Sequence, residues 1–297
     1  MTDSQPIFCL YKIIEKRYIE DFVSGNFYFS CCGEWISKAK SSGGKGQGDQ
    51  HEAIFAKYLR KNSRKPIKYY KKIFGKDLIV ESEGEYVLLK RKSSLYIPAI
   101  CFYNIDNQSI KQYLPDEEIE KIVSSIKNYE NKDHVIVERL PIVLSQQYYD
   151  EFNIESDEID AVLIQPRKVM NKLYEAGAIC HKVTYINTDT EYDIFANKMY
   201  KKDYEIDMEK ALYQHIEIFY KDKQNYEHQC EFRVALPQKI LSGIKNGIKI
   251  HLSDLSHTSG VSNDGIPINA TGKDFISNVK KQRAFATAHI HSSNDWF

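Results

Sequence analysis

Alternating apolar and polar positions open the chain. Phe8-Cys9-Leu10-Tyr11-Lys12-Ile13-Ile14 predicts a first strand. Glu15–Ser24 then places Tyr18, Ile19, Phe22 and Val23 on one helical stripe and stops at Gly25, a C-cap signal. Asn26–Cys31 alternates again and predicts a second strand. A Ser/Gly-rich loop, Ser41–Gly48, leads to Asp49, an N-cap residue with Glu52 at the capping-box position, so a helix is expected over Ala53–Leu59. Leu78–Glu81 and Glu85–Lys90 flank Gly84 as a hairpin, and Tyr96–Tyr103 is apolar enough for a buried strand.

Further along, Asp116–Ile126 predicts a helix with an acidic first turn, and Arg167–Ala176 another. Val135–Val137, Leu140–Val143, Val162–Ile164 and Lys182–Ile186 are strand material. Asp203–Tyr220 carries Met208, Leu212, Ile216 and Phe219 on one face and predicts a long amphipathic helix. Strands are expected over His228–Leu236 and Ile248–Leu252, with a weakly patterned tail from about residue 253. The sum is one α+β domain over 1–297, a mostly antiparallel split sheet with flanking helices.

Composition narrows the class without naming an activity. With 297 residues, 42% hydrophobic and 28% charged, the chain has a core and is neither a disordered tail nor a collagen-like repeat. No window reaches about 18 consecutive apolar residues, so no transmembrane helix and no membrane partner are expected. The polar opening Met1–Pro6 does not resemble a secretory signal. Six cysteines are scattered without a Cys-x-x-Cys pair, which suits buried thiols in a reducing cytoplasm.

The formal charge is zero, with 41 Lys+Arg against 41 Asp+Glu, yet the charges are segregated. Lys57, Arg60, Lys61, Arg64, Lys65, Lys68, Lys71, Lys72 and Lys76 form a run free of Asp and Glu, with Tyr58, Tyr69, Tyr70 and Phe74 interleaved. Cations in that density can follow a phosphate backbone while tyrosine rings stack on bases. Asp116–Asp160 reverses the sign, with 13 acidic residues against Lys121, Lys127, Lys132 and Arg139. The basic run therefore faces either nucleic acid or this acidic stretch.

Gln229-Cys230-Glu231-Phe232-Arg233-Val234 is the strongest candidate for chemistry. Period-two alternation puts Cys230, Phe232 and Val234 toward a core and aligns Gln229, Glu231 and Arg233 on the opposite face. A carboxylate there can hold a sugar hydroxyl and stabilise an oxocarbenium-like transition state, while the side chain two residues earlier orients a nucleophile. A polar ladder on an amphipathic strand gives the same letters.

Three segments resemble a bacterial and phage protein family of unknown function. They are Leu10-Tyr11-Lys12 with Phe27-Tyr28-Phe29-Ser30, the turn Gly48-Asp49-Gln50-His51-Glu52, and Tyr226–Arg233. Gln229 stands where that family usually has Glu in a Glu-x-Glu-x-Arg strand. The order of elements is also similar to that of ADP-ribosyltransferases, which have a second-strand Ser and a late Gln/Glu-x-Glu; Ser30, Gln229 and Glu231 match, whereas Tyr11 and Lys12 replace the first-strand Arg or His. The resemblance implies an ADP-ribosyltransferase-like fold and NAD as substrate. It gives Glu231 and Gln229 catalytic roles, and Tyr11, Lys12 and Ser30 a place around the nicotinamide ribose. Arg233 would pair with Glu231 or a phosphate. A nucleic acid or protein would accept ADP-ribose, as in toxins and phage-defence effectors. Apart from the resemblance, Asp49, His51 and Glu52 follow the glycine-rich loop, a chain able to close over a ligand. His51 and Glu52 would take acid/base or phosphate-orienting roles there; a plain helix N-cap with a surface His gives the same letters.

Other constellations add little. Gly43–Gly48 lacks the Gly-Lys-Ser/Thr ending of a phosphate-binding loop, and no Gly-x-Gly-x-x-Gly follows a strand. His289 and His291 share a strand face without a nearby Cys, so no metal is expected. The chain thus reads as an NAD-cleaving enzyme, with a non-enzymatic nucleic-acid-binding or regulatory module built on Lys57–Lys76 as the alternative.

Overall fold

Strand Pro98–Asp106 is the hub of the structure, because three other strands pair with it. We describe a computed structural model covering residues 7–42, 48–106, 117, 134–142, 146–152, 158–164, 170, 173–196, 215–241, 247–251 and 284–291. In chain order the first half comprises β1 (Ile7–Glu15), α1 (Ile19–Val23), β2 (Asn26–Cys31), α2 (Cys32–Ser42), β3 (Ile54–Leu59), α3 (Arg60–Phe74), β4 (Leu78–Glu83), β5 (Tyr86–Arg91) and β6, the hub. The second half adds β7 (His134–Ile142), α4 (Gln146–Glu151), β8 (Ile159–Ile164), β9 (Ile179–Lys182), β10 (Thr184–Ile186), β11 (Tyr192–Asp193), β12 (Tyr220–Asp222), α5 (Lys223–Tyr226), β13 (Glu231–Ala235), β14 (Ile248–His251) and β15 (Ala284–His291).

The α+β expectation holds, and the sheets are mostly antiparallel; β10 with β12 is the parallel pair among the described strands. One edge of β6 is taken by β13, Glu231 opposite Tyr103 through Ala235 opposite Ala99. The other edge is shared by two strands. Ser30 and Cys31 of β2 oppose Ala99 and Pro98, whereas Ile7–Tyr11 of β1 oppose the far end, Tyr103–Asp106. Beyond Tyr11, β1 continues against β8 alone. The sheet therefore forks at residues 100–102, and the ammonium of Lys12 fills the fork, donating to the Cys101 carbonyl at 2.8 Å. Burial of this amine lowers its pKa, opposed mainly by the charges of Cys101 and Glu231.

The two faces of this sheet differ in chemistry. Leu10, Phe29, Ile100, Phe102, Phe232 and Val234 fill one face with a dry core. Side chains directly opposite on paired strands share a face, so Tyr11, Tyr103 and Glu231 stand together on the other, joined by Cys101 and Arg233. That second face is covered by the turn before β3, which brings Glu52, by the buried 3-10 turn at Ile218 and by β12.

Two element expectations are corrected here. The segment Ala53–Leu59, expected as a helix, is strand β3: its apolar run is too short for a stable helix and pairs with β5 instead. The end of the expected helix Asp203–Tyr220 is a 3-10 turn, Ile216–Phe219, followed by β12, and all four turn residues are buried. An apolar stripe of any period suits a segment buried all round, so helical spacing there was not diagnostic. Residues 197–214, the helix expected at Asp116–Ile126 beyond Glu117, and most of the tail from residue 253 lie outside the described residues.

Candidate functional site

The basic run folds as α3, fifteen residues of which seven are Lys or Arg and none acidic. Ser63, Ile67, Tyr70 and Phe74 recur at helical spacing and pack on the β3–β5 core with Phe55 and Val87. The outward face is left to cations: Lys61, Lys65, Lys68 and Lys72 repeat every three or four residues along one stripe, with Arg60, Arg64 and Lys71 beside it. All seven are exposed, and among the described residues none makes an ion pair with a carboxylate.

Cations in the first helical turn meet the positive end of the helix dipole. Glu191 supplies the missing anion from outside: its carboxylate accepts from the Leu59 N–H at 2.8 Å and from the Asn62 amide at 2.9 and 3.0 Å. The helix stops at Gly75, whose φ of 54° suits glycine. Lys57 does not belong to this face. It lies on β3, donates to the Thr188 carbonyl at 2.7 Å and sits over the Tyr86 ring.

A buried charge cluster on the sheet of β6 and β13 gathers residues from four parts of the chain. Arg233 is wholly buried and uses all its nitrogens: Nε and Nη2 reach Glu231 Oε1 at 2.8 and 2.7 Å, and the Nη pair forks onto both oxygens of Glu52. It also donates to the Ile218 carbonyl, and its guanidinium stacks over Trp35 at 4.6 Å. Lys221 closes the ring, with Nζ 2.7 Å from Glu231 Oε2, 3.6 Å from Glu52 Oε1 and 3.0 Å from Gln229 Oε1. Two cations thus offset two carboxylates.

The two carboxyls titrate in opposite directions. Burial raises both, but for Glu231 the attraction of Arg233 and Lys221 prevails and holds it well below the usual carboxylate range. For Glu52 burial prevails over Arg233 and Lys221, and its pKa rises. Lys221 is pulled upward against its burial by Glu231 and Glu52.

The predicted catalytic and cofactor residues distribute as follows. Gln229 precedes β13, in a 3-10 turn, and its amide donates to Glu151 at 3.1 Å. Cys230, at φ 41°, provides the kink that starts the strand. Glu231 and Arg233 share one face, as expected, but that face is covered, with Glu231 6% exposed. Tyr11 sits across Tyr103 from Glu231, fully buried, its ring edge-on to Tyr103 at 6.4 Å. Ser30 is at the other end of β6, four residues or roughly 13 Å along, and donates to Glu34 at 2.7 Å.

Asp49 is buried and accepts from the His51 N–H at 2.7 Å, while His51 Nε2 lies 3.0 Å from Glu83. His51 lines a small cleft with Lys57, Thr188, Lys221 and Asp222. The expected helix after Asp49 is absent, so Glu52 leaves its capping-box role and turns inward to Arg233, helped by Ala53 at φ 60°. The side chains of His289 and His291 lie outside the described residues.

Sequence reading missed Lys221, Glu151, Tyr185 and Trp35. Tyr185 receives the Glu231 N–H at 2.8 Å. No local pattern marks them: Tyr185 and Lys221 meet through pairing of strands distant in sequence, and Trp35 and Glu151 are brought in on helices. No described helix is long and apolar enough to cross a membrane. Comparison with protein-family models, curated proteins and solved structures finds no match for this chain.

Proposed function

We propose that this protein binds nucleic acid through the outward face of α3. One observation carries the reading: seven cations project from a single rigid helix, and no described carboxylate pairs with any of them. Like charges three and four residues apart repel, so a helix that concentrates them gains most from a partner bearing regularly spaced negative charge. Phosphates along a strand supply it, and the counterions they release drive association. The inward face is anchored by Tyr70, whose hydroxyl donates to both Asp193 oxygens at 2.9 and 2.7 Å, so the cations are displayed on a fixed scaffold.

The test is fluorescence anisotropy with a labelled oligonucleotide at low salt. Wild type should bind, and a variant with Lys61, Lys65, Lys68 and Lys72 all changed to Gln should lose most of that affinity while keeping its melting temperature. Equal affinity of the two proteins would refute the reading.

A second reading, NAD cleavage, is favoured by one relationship. Tyr11 and Glu231 flank Tyr103 on one sheet face at a fork in the sheet, beside a pair of carboxyls displaced in opposite directions. Glu231 would stabilise charge at the ribose and Gln229 would orient the acceptor, after the Lys221 contact opens. Nicotinamide release from NAD, lost in Glu231→Gln at unchanged folding, supports it; no release by the wild type, with or without DNA and RNA, rules it out.

A further inference from the structure

We infer that the α3 face selects single-stranded nucleic acid over duplex, with Tyr69 as a stacking platform; this rests on the nucleic-acid reading above. Tyr69 is the most exposed of the large hydrophobic side chains among the described residues, at 59%. It borders the cationic face: helical spacing puts Lys65 one turn before it and Lys72 one turn after, with Ile73 also 43% exposed beside it. A helix that read duplex phosphates alone would gain nothing from an exposed apolar ring at the border of its charges. A strand with unstacked bases gains a stacking surface there, and its flanking phosphates fall to the two lysines.

The ring is also braced. Tyr69 meets Tyr70 edge to face at 5.1 Å, and Tyr70 is itself held parallel to Phe74 at 5.8 Å. The Tyr70 hydroxyl is tied to Asp193, which also receives the Tyr58 hydroxyl and the N–H groups of Phe195 and Ala196 at 3.0 Å. A platform fixed before binding loses little side-chain entropy on contact, which favours affinity. Burial and Asp193 raise the pKa of Tyr70 far above its ordinary value, so its hydroxyl keeps the proton that it donates.

The experiment compares a labelled single strand longer than about 16 nucleotides with its hairpin duplex, for wild type, Tyr69→Ala and Tyr69→Phe, each checked by thermal melting. Anionic phosphatidylserine vesicles serve as a third ligand. The expected result is tighter binding of the single strand and a loss of about 5- to 150-fold in Tyr69→Ala. Its salt slope should be unchanged, with near-full recovery in Tyr69→Phe. Equal or tighter duplex binding, an unaffected Tyr69→Ala, or a preference for vesicles overturns the inference while leaving a charge-driven surface in place. Absence of binding to either nucleic acid at low salt overturns the underlying reading, and the inference with it.

Discussion

Arg233 and Glu52 form a two-pronged ion pair, Nη1 to Oε2 at 2.9 Å and Nη2 to Oε1 at 3.2 Å, although 181 positions separate them. The pair ties the turn before β3 to the central strand β13, so it couples the two sheets. Removing one partner strands a buried charge, at a cost of about 3–5 kcal/mol. Arg233→Met should lower stability by that order in urea unfolding. The double variant Glu52→Gln with Arg233→Met should recover part of it. Arg233→Lys should not rescue, since a lysine cannot supply the fork.

Acid sensitivity should trace to Glu231. Its folded pKa is held below the usual 4.5 by Arg233 and Lys221 against its burial. A carboxyl so depressed contributes stability that is present above its unfolded pKa and is lost as pH falls through the folded value. Between about pH 4.5 and 3, the unfolding free energy of wild type should fall more steeply than that of Glu231→Gln. Glu52 is shifted the other way, raised by its burial. Urea titrations at several pH values measure both slopes; parallel slopes would contradict the assignment.

The backbone at Cys230 carries a second cost. Its φ of 41° lies in the left-handed region and places Glu231 at the strand start. A β-branched side chain fits that region poorly, whereas glycine accepts it. Cys230→Val should lower the melting temperature clearly, and Cys230→Gly should match or exceed wild type.

Glu191 links folding to the cationic face. It caps the first turn of α3 through Leu59 and Asn62, so Glu191→Ala should destabilise by about 1 kcal/mol, as the loss of other N-terminal caps does. The same change removes a negative charge beside Arg60 and Lys61, so nucleic-acid affinity should rise as stability falls. A fall in both would mean that the helix end itself had frayed from the binding face.

Many strands of the two larger sheets were legible in the pattern. Asn26–Cys31, the hairpin around Gly84, the buried run that became β6 and the late strand all follow from period-two alternation or continuous apolarity. What failed was the short apolar segment Ile54–Leu59, where a capping-box signature at Asp49 and Glu52 suggested a helix. Those two carboxylates serve tertiary contacts instead, and tertiary pairing outweighs a local cap. The cationic helix could be read as a run of charge, but its orientation depended on Ser63, Ile67, Tyr70 and Phe74 finding a sheet to pack on. The buried cluster was half visible: Glu231 and Arg233 stood out, while Lys221 looked like the end of a helix and Glu52 like a cap.

The most direct measurement of the central claim is the dependence of single-strand affinity on salt. Four stripe lysines, each displacing about 0.7 of a counterion from a single strand, account for about 3 units of the slope of log K against log salt. The account predicts a wild-type slope steeper by about that amount than the slope of the variant with Lys61, Lys65, Lys68 and Lys72 changed to Gln, in which Arg60, Arg64 and Lys71 remain. A flat wild-type titration, or the same slope in both proteins, would contradict it.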